Sequence, residues 1–331
     1  PVTDRFGMTR PAVFSLLISV VGMLIFTLSR SLWAAQWARA FMGGGAAFAT
    51  VIYLRCSSVW FHHSSHGFTG GLLTVGVMVG AFLSMMPLTW VIHYAGVESA
   101  LWMLVFIGLV LICIAALNLR EPTNTTAVRS TMSVNLLALY SLLKKKENIL
   151  LTAYSGLAFA PLAVFGGLWG TPFLCAQQHV NVSVASGLVS LCYIGFGIGG
   201  PLFGYLSDRK ARRMRYMLLG LVVSSLCFIC VVFVSIPWLW LEGVLLCGFG
   251  VGTGSFMLGF TMAKEINPLR VSGSVVSLIN SGDALLGAVS EPFIGRCLDW
   301  GWSGRLAHGA HVFSVRDYHH AFSFLLGYSL I

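Results

Sequence analysis

The sequence predicts an all-α membrane protein made of two helix bundles, and three observations support this prediction. Only 9% of the 331 residues are charged, whereas soluble domains carry about 25% charged residues. The apolar runs are long and continuous, which is typical of membrane helices and not of barrel strands. A charged motif near the start recurs in the second half of the chain. The chain is therefore expected to cross a membrane many times.

The apolar runs give the predicted helices. A helix needs about 20 apolar residues to cross the hydrocarbon core. Nine runs of roughly this length and the start of a tenth predict about ten helices, at 11–29, 33–54, 68–90, 99–118, 149–174, 184–206, 215–235, 237–262, 272–294 and from 319 onward.

Lysine and arginine residues predict the orientation. Fifteen of them lie in one set of loops, at 1–10, 55–67, 119–148, 207–215 and 263–271, and four lie in the opposite set. Positive loops face the cytoplasm, so Pro1 is expected on the cytoplasmic side of a plasma or inner membrane. The net charge of +9 belongs to these loops, so the bilayer is a predicted partner and nucleic acid is not.

The longest polar stretch between predicted helices is 119–148, which ends on Lys144-Lys145-Lys146-Glu147. A basic segment of this kind lies close to anionic headgroups. We interpret it as a cytoplasmic linker between two bundles. The predicted domains are the remainder of an N-terminal bundle at 1–118, the linker at 119–148, and a C-terminal bundle at 149–331.

An internal repeat relates the two bundles. Asp4-Arg5-Phe6-Gly7 precedes the first helix as Asp208-Arg209-Lys210-Ala211 precedes the seventh. The second and eighth helices both carry close-set glycines, at Gly43 and Gly45 and at Gly248 and Gly250. Such glycines let helices approach closely. Repeats of this kind are common in transporters.

Gly204-Tyr205-Leu206-Ser207-Asp208-Arg209, followed by Arg212 and Arg213, resembles the signature cytoplasmic loop of the major facilitator superfamily. Ala211 stands where the family usually has glycine. Asp4-Arg5-Phe6-Gly7 resembles the tail of a first copy, and Arg39 with Gly43 and Gly45 resembles the family's fourth-helix motif. The resemblance implies two six-helix bundles with a pseudo-twofold repeat. We therefore expect this chain to lack the first two helices and to end within the last one.

The resemblance also implies an inner gate that latches the two bundles during alternating access. Its expected residues are Asp4, Arg5, Gly204, Asp208, Arg209, Arg212 and Arg213. A helix N-terminus favours an anion, so the helix starts near Gly67 and Ser272 are the expected partners of Asp208 and Asp4. The alternative is a solvated loop whose cations set only the topology.

Four ionisable residues fall inside predicted helices, where such groups are costly and usually functional. Arg39 is interpreted as a cavity or proton-transfer residue, or as a snorkelling cation. Asp283 is the leading proton-site candidate, with a packed carboxyl as the alternative. Glu291 lies on the same helix as Asp283, roughly 80° around the helix axis and about 12 Å along it. It is interpreted as an outer relay or as an interfacial group. Glu242 is expected to be interfacial.

These features predict a transporter of a small solute (organic anion, peptide, sugar or drug-like), with proton coupling left open. The protein is expected to be a monomer, without enzymatic activity, cofactor or metal. No nucleotide-binding glycine loop occurs, which disfavours ATP-driven transport, and the histidine clusters are interpreted as solvated loops. The alternatives are a membrane sensor on a transporter scaffold and a membrane-embedded enzyme, which would need paired catalytic residues at one depth.

Overall fold

The structure is a computed structural model that describes residues 9–60, 66–119, 142–210, 212–268, 272–304, 306–307 and 310–328. Regular structure within these ranges is helical apart from one short hairpin. The chain divides into two compact units. Unit 1 comprises Pro1–Gly76 and Trp90–Val134, and unit 2 comprises Val77–Thr89 and Asn135–Ile331. The predicted boundaries at 118 and 149 stay a prediction.

Unit 1 is built on helices α1 (Thr9–Leu28) and α2 (Leu32–Trp60) and on part of α3 (His66–Asn118). Helices α1 and α2 approach until their backbones touch. A Cβ atom at Gly22 would lie 2.8 Å from the Ala38 carbonyl oxygen, and one at Gly45 would overlap Ser19. Glycine at these two positions therefore permits the contact.

Helix α3 covers two of the predicted spans, 68–90 and 99–118. It is 53 residues long but is interrupted at Gly96, where φ is +84° and ψ is 163°. Only glycine adopts such a conformation readily. A long helix broken at one residue thus replaces the predicted loop at 91–98.

Unit 2 contains the remaining helices. Its first half has α4 (Lys146–Val164), α5 (Gly170–Gln178), α6 (Val182–Lys210) and α7 (Arg213–Phe233). Its second half has α8 (Leu239–Thr253), α9 (Met257–Glu265), α10 (Ser272–Gly301) and α11 (Val315–Gly327).

Two of the predicted spans in unit 2 are interrupted helices. Between α4 and α5 lies a π-helical segment, Phe165–Trp169, and between α8 and α9 lies a 3₁₀ turn, Gly254–Phe256. Both interruptions occur at glycines, and both types of segment often mark functional hinges.

Six segments of the described chain are long and apolar enough to cross a membrane. One of them, Val75–Asn118, has 44 residues, about twice the length that one crossing needs. Helices α2 and α10 are 29 and 30 residues long but are not among these six. The chain is therefore a multi-pass membrane protein.

Aromatic side chains form the core of unit 2. Phe165 lies at its centre, and its ring centroid is 5.5 to 6.2 Å from those of Phe228, Phe322, Phe173 and Phe249. All five rings are buried. Edge-to-face ring pairs at these distances add to the free energy of burial. The core therefore lies where α4, α5, α7, α8 and α11 meet.

A small hairpin joins α10 to α11. Strands β1 (Leu306–Ala307) and β2 (Ala310–His311) are antiparallel, with Leu306 opposite His311. Ser314 then caps α11, and its backbone N–H donates to Asp317 Oδ2 at 2.7 Å. This reciprocal cap explains why α11 begins at Val315, four residues before the apolar run that predicted it.

Candidate functional site

The charged turn between α6 and α7 is held by a network of ion pairs. Arg213 Nη1 lies 2.8 Å from Asp208 Oδ1 and donates to Ser207 Oγ at 2.7 Å. The other edge of the guanidinium faces Glu265, with Nε 2.8 Å and Nη2 2.5 Å from Oε1. Arg213 therefore joins the end of α6 to the end of α9. We call Asp208, Arg213 and Glu265 the charge network.

Arg213 is the most shielded member of the charge network. Its side chain is 17% exposed, whereas those of Glu265 and Asp208 are 50% and 66% exposed. The planar guanidinium binds a carboxylate through two parallel contacts, which gives geometric specificity. Water screens both carboxylates, so each pair stabilises the network only modestly.

Sequence reasoning did not identify Glu265. In the stretch Lys264-Glu265-Ile266-Asn267-Pro268, the cation Lys264 indicates topology, and nothing marks Glu265 as a gate residue. An acidic residue at the end of an apolar run carries no local pattern that predicts its pairing with an arginine 52 positions away.

The other predicted gate residues in the described part of the chain lie outside the charge network. Arg209 is exposed on α6, with Nη1 3.5 Å from Tyr205 Oη, and Arg212 directly precedes α7. Gly204 has open space where a Cβ atom would be. Asp4 and Arg5 lie outside the described residues. For Asp208 the recorded partner is Arg213 in its own turn, so the expected contact with the helix start near Gly67 stays a prediction.

A second group of polar side chains lies around the π-helical segment. The Tyr193 hydroxyl of α6 lies against Gly166, where a Cβ atom would be 3.0 Å from Oη. Glu291 lies on α10. One turn further, Gly295 packs against the Trp169 ring. The Trp169 Nε1–H is buried without a hydrogen-bond acceptor in the described part of the chain. We call Trp169, Tyr193 and Glu291 the polar wall.

Asp283 is buried on α10, with 7% of its surface exposed. Its Oδ1 atom has no hydrogen-bond partner among the described residues. The preceding residue, Gly282, packs against Thr152 of α4. Asp283 therefore lies inside unit 2, near the α4–α10 contact, which is compatible with both interpretations of this carboxyl.

Arg39 and Glu242 differ in burial. Arg39 is exposed on α2, and no ion pair is recorded for it in the described part of the chain. Glu242 is fully buried in the first turn of α8. Its carboxylate accepts a hydrogen bond from Gln178 Nε2. Glu242 thus lies at the end of its helix, and Gln178 of α5 covers it from the neighbouring helix. The expectation that it lies at the membrane interface stays a prediction.

The four glycines predicted to pack helices are not equivalent. A Cβ atom at Gly250 would overlap the Cys192 carbonyl of α6, and one at Gly248 would lie 2.9 Å from Cys227 Sγ of α7. Gly45 contacts α1 closely, as described above. At Gly43, no atom of the described residues lies within 4 Å of that position, so this glycine does not lie at the described contact between α1 and α2.

A comparison of sequences decides the family. The sequence profile described as Major Facilitator Superfamily matches residues 1–291. The chain belongs to the major facilitator superfamily. The predicted all-α membrane fold of the major facilitator type is confirmed. Neither this family nor this fold is that of an enzyme. The matched residues include the charged turn, all of unit 1 and unit 2 as far as residue 291.

Two curated relatives match over part of the chain. A probable inositol transporter 3 of Arabidopsis thaliana is 32% identical over 119 residues, 35% of this chain and 20% of that protein. Inositol transporter 4 of the same plant is 30% identical over 121 residues, with the same coverage. The match therefore spans only a fifth of either relative.

Solved structures match over nearly the whole chain. A mutant of the nucleoside transporter NupG aligns with a TM-score of 0.69 and 16% identity, covering 99% of this chain and 83% of that one. A bacterial homologue of the human lysosomal transporter Spinster, in an inward-facing and occupied conformation, aligns with a TM-score of 0.68 and 15% identity. That alignment covers 97% of this chain and 79% of the homologue. Similarity at this identity concerns the fold alone.

Proposed function

We propose that the protein is a secondary transporter that moves a small polar solute across a membrane by alternating access, and that it has no enzymatic activity. The observation that carries this proposal is the family match over residues 1–291. Transporters of this family type consist of repeated bundles around a central binding site. A monomer in the plasma or inner membrane, with Pro1 on the cytoplasmic side, completes the proposal.

The proposed solute is a neutral polyhydroxylated molecule, such as a cyclic polyol. Two curated relatives carry the name inositol transporter. The polar wall supports the same chemistry, since the Trp169 N–H has no acceptor among the described residues, and Tyr193 and Glu291 offer an O–H group and carboxylate oxygens. Sites that bind hydroxyl groups select strongly, because an analogue without the hydroxyl leaves buried polar groups unpaired.

The charge network is the proposed inner gate of unit 2. Its ion pairs lie partly in water, so they can break and re-form at low free-energy cost. Arg213 is the central member because both carboxylates bind it. Arg209 and Arg212 are proposed to act mainly as topology signals, since they are exposed on either side of the turn. Asp4 and Arg5 are proposed to form the equivalent gate of the first bundle.

Asp283 is the proposed proton site, with Glu291 as an outer relay and Arg39 as a cavity residue. A carboxyl that couples a proton to transport must be shielded from water and must lack a permanent cation partner. Asp283 is buried, and no ion pair is recorded for it among the described residues. These two features support Asp283 over the more exposed candidates.

Uptake into vesicles tests the proposal. The full-length protein is reconstituted, and accumulation of labelled myo-inositol, a nucleoside, an organic anion and a dipeptide is measured with and without an inward proton gradient. We expect saturable uptake of the polyol, competed by related polyols. A gradient that increases accumulation would support coupling. Equal accumulation with and without the gradient would contradict it, and no flux of any solute would overturn the transporter proposal.

A further inference from the structure

The two interrupted helices of unit 2 are joined to each other at both ends. The first consists of α4, the π-helical segment and α5, and the second of α8, the 3₁₀ turn and α9. We call the end of unit 2 that contains Asp208 the inner end, after the predicted orientation. Each interrupted helix therefore has an inner half, α4 or α9, and an outer half, α5 or α8.

A buried amide pair joins the inner ends. Asn267 Nδ2 donates to Asn148 Oδ1 at 2.7 Å, and Asn148 Nδ2 lies 3.4 Å from Asn267 Oδ1. Asn148 is fully buried and Asn267 is 8% exposed. Lys145 Nζ also donates to the Ile266 carbonyl at 2.5 Å. We call Lys145, Asn148, Ile266 and Asn267 the inner clasp.

A side-chain pair joins the outer ends. Gln178 Nε2, on the last residue of α5, donates to Glu242 Oε2 in the first turn of α8 and to the Ile236 carbonyl at 3.0 Å. Glu242 is fully buried. No cation is recorded as its partner in the described ranges, so the contact is a hydrogen bond to a neutral amide. We call Gln178 and Glu242 the outer clasp.

The two helices also meet between the clasps, beside the interruptions. The Phe159 and Phe256 rings stack with centroids 5.1 Å apart, and Tyr154 Oη lies 3.3 Å from Ser255 Oγ. In each interrupted helix, the two halves meet at the π-helical segment or the 3₁₀ turn. The clasps lie at the opposite ends of these halves, away from the interruptions. Such segments are where long helices bend. When a clasp opens, its side-chain hydrogen bonds are exchanged for hydrogen bonds to water, so the net cost of opening is modest.

We propose that the inner and outer clasps are reversible and open one at a time, so that Asn148, Asn267, Gln178 and Glu242 are positioning residues for alternating access. The proposal rests on the proposed transport function. The present structure, with both clasps closed, then corresponds to an occluded arrangement of unit 2. Opening the inner clasp frees the end of α9, which also carries Glu265 of the charge network.

Cross-linking each clasp tests the proposal. Asn148→Cys/Asn267→Cys and Gln178→Cys/Glu242→Cys are treated in vesicles with a short bifunctional methanethiosulfonate reagent, and myo-inositol uptake is measured before treatment, after it and after reduction. The control pair is Asp299→Cys/His311→Cys, which replaces an exposed contact of 3.0 Å on α10 and the hairpin. Each single-cysteine variant and the parent protein receive the same reagent.

We expect either closed clasp to lower uptake at least tenfold and reduction to restore it, while the control pair changes uptake less than twofold. Complete cross-linking by mass spectrometry with more than half of the uptake retained would overturn the proposal. Absence of uptake in the untreated variants and the parent would instead contradict the transport function itself.

A measurement without solute decides the clasp proposal in that case. Hydrogen exchange of the peptide 257–268 is compared before and after the outer pair is cross-linked. If the clasps alternate, removing outer-open states raises the population of inner-open states, by up to about twofold when the two open states are equally populated and the occluded state is rare. Faster exchange in this peptide supports alternation, and unchanged exchange overturns it.

Discussion

The substitution Glu265→Gln tests the charge network most sharply. It keeps the size of the side chain and one acceptor oxygen but removes the charge that faces Arg213 Nε and Nη2. Arg213 retains Asp208 and Ser207 as partners. The substitution therefore removes the Arg213–Glu265 ion pair and leaves the Arg213–Asp208 ion pair and the helices unchanged.

The magnitude follows from the geometry and the exposure. A charge-assisted hydrogen bond contributes about 1.5–3 kcal/mol, but the half-exposed Glu265 is screened, which lowers the value to about 1 kcal/mol. This free energy corresponds to about a fivefold change in an equilibrium constant. Asp208 is 66% exposed, so Asp208→Asn is expected to cost about 0.5 kcal/mol, or about twofold.

The assay is solute uptake by the full-length protein in vesicles, normalised to the amount of correctly inserted protein. If the network closes in only one of the alternating states, Glu265→Gln slows uptake about fivefold and Asp208→Asn about twofold, while insertion is normal. The matched control is Arg212→Gln, which removes a neighbouring exposed charge outside the network.

Three results would refute this reasoning. Uptake by Glu265→Gln equal to that of the parent would show that the network does not take part in gating. An equal effect of Arg212→Gln would leave the turn as a topology signal only. A double variant, Asp208→Asn with Glu265→Gln, whose effect on the free energy equals the sum of the two single effects would show that the two carboxylates act independently and not through a shared Arg213.

Three further predictions concern helix packing, proton coupling and the outer clasp. Gly250→Ala is expected to destabilise unit 2 by about 1–3 kcal/mol, because its methyl group would overlap a backbone carbonyl, and this should lower the melting temperature in detergent. The control Gly43→Ala has open space for its methyl group among the described residues, so its melting temperature should be unchanged or higher. Asp283→Asn should remove any dependence of uptake on an imposed proton gradient while downhill exchange of solute continues; a gradient response equal to that of the parent contradicts its role. Glu242→Gln should retain uptake within about twofold, since an amide oxygen still accepts the Gln178 hydrogen bond, whereas Glu242→Leu should lower it; equal activity of the two variants would show that the hydrogen bond has no role.

Helix positions could be predicted from apolar runs alone. The runs at 11–29, 184–206 and 215–235 correspond to α1, α6 and α7 within a few residues. Hydropathy works here because a membrane helix must satisfy its backbone groups internally and face lipid with apolar side chains. The charged turn at 207–213 was equally visible, since cations rarely occur within such runs.

The interruptions could not be predicted in the same way. The runs at 149–174 and 237–262 are apolar throughout, so nothing in their hydropathy distinguishes an α-helix from the π-helical segment at Phe165–Trp169 or the 3₁₀ turn at Gly254–Phe256. These segments depend on neighbours. Gly254, for example, packs against the backbone of Gly199 and Gly200 on α6.

The partners of the polar residues were also beyond sequence reasoning. Asn148 and Asn267 are 119 positions apart, and Gln178 and Glu242 are 64 apart. Each residue alone resembles an ordinary helix-end polar group. Only the packing of α4 and α5 beside α8 and α9 brings them together, so a single sequence carries no local pattern for either pair.

Uptake of labelled myo-inositol by vesicles containing the full-length protein tests the central proposal most directly. We expect saturable, time-dependent accumulation of myo-inositol. Related polyols should inhibit this accumulation by competition, and empty vesicles should show none. Vesicles with correctly inserted protein that accumulate neither the polyol nor any other solute of the panel would contradict it.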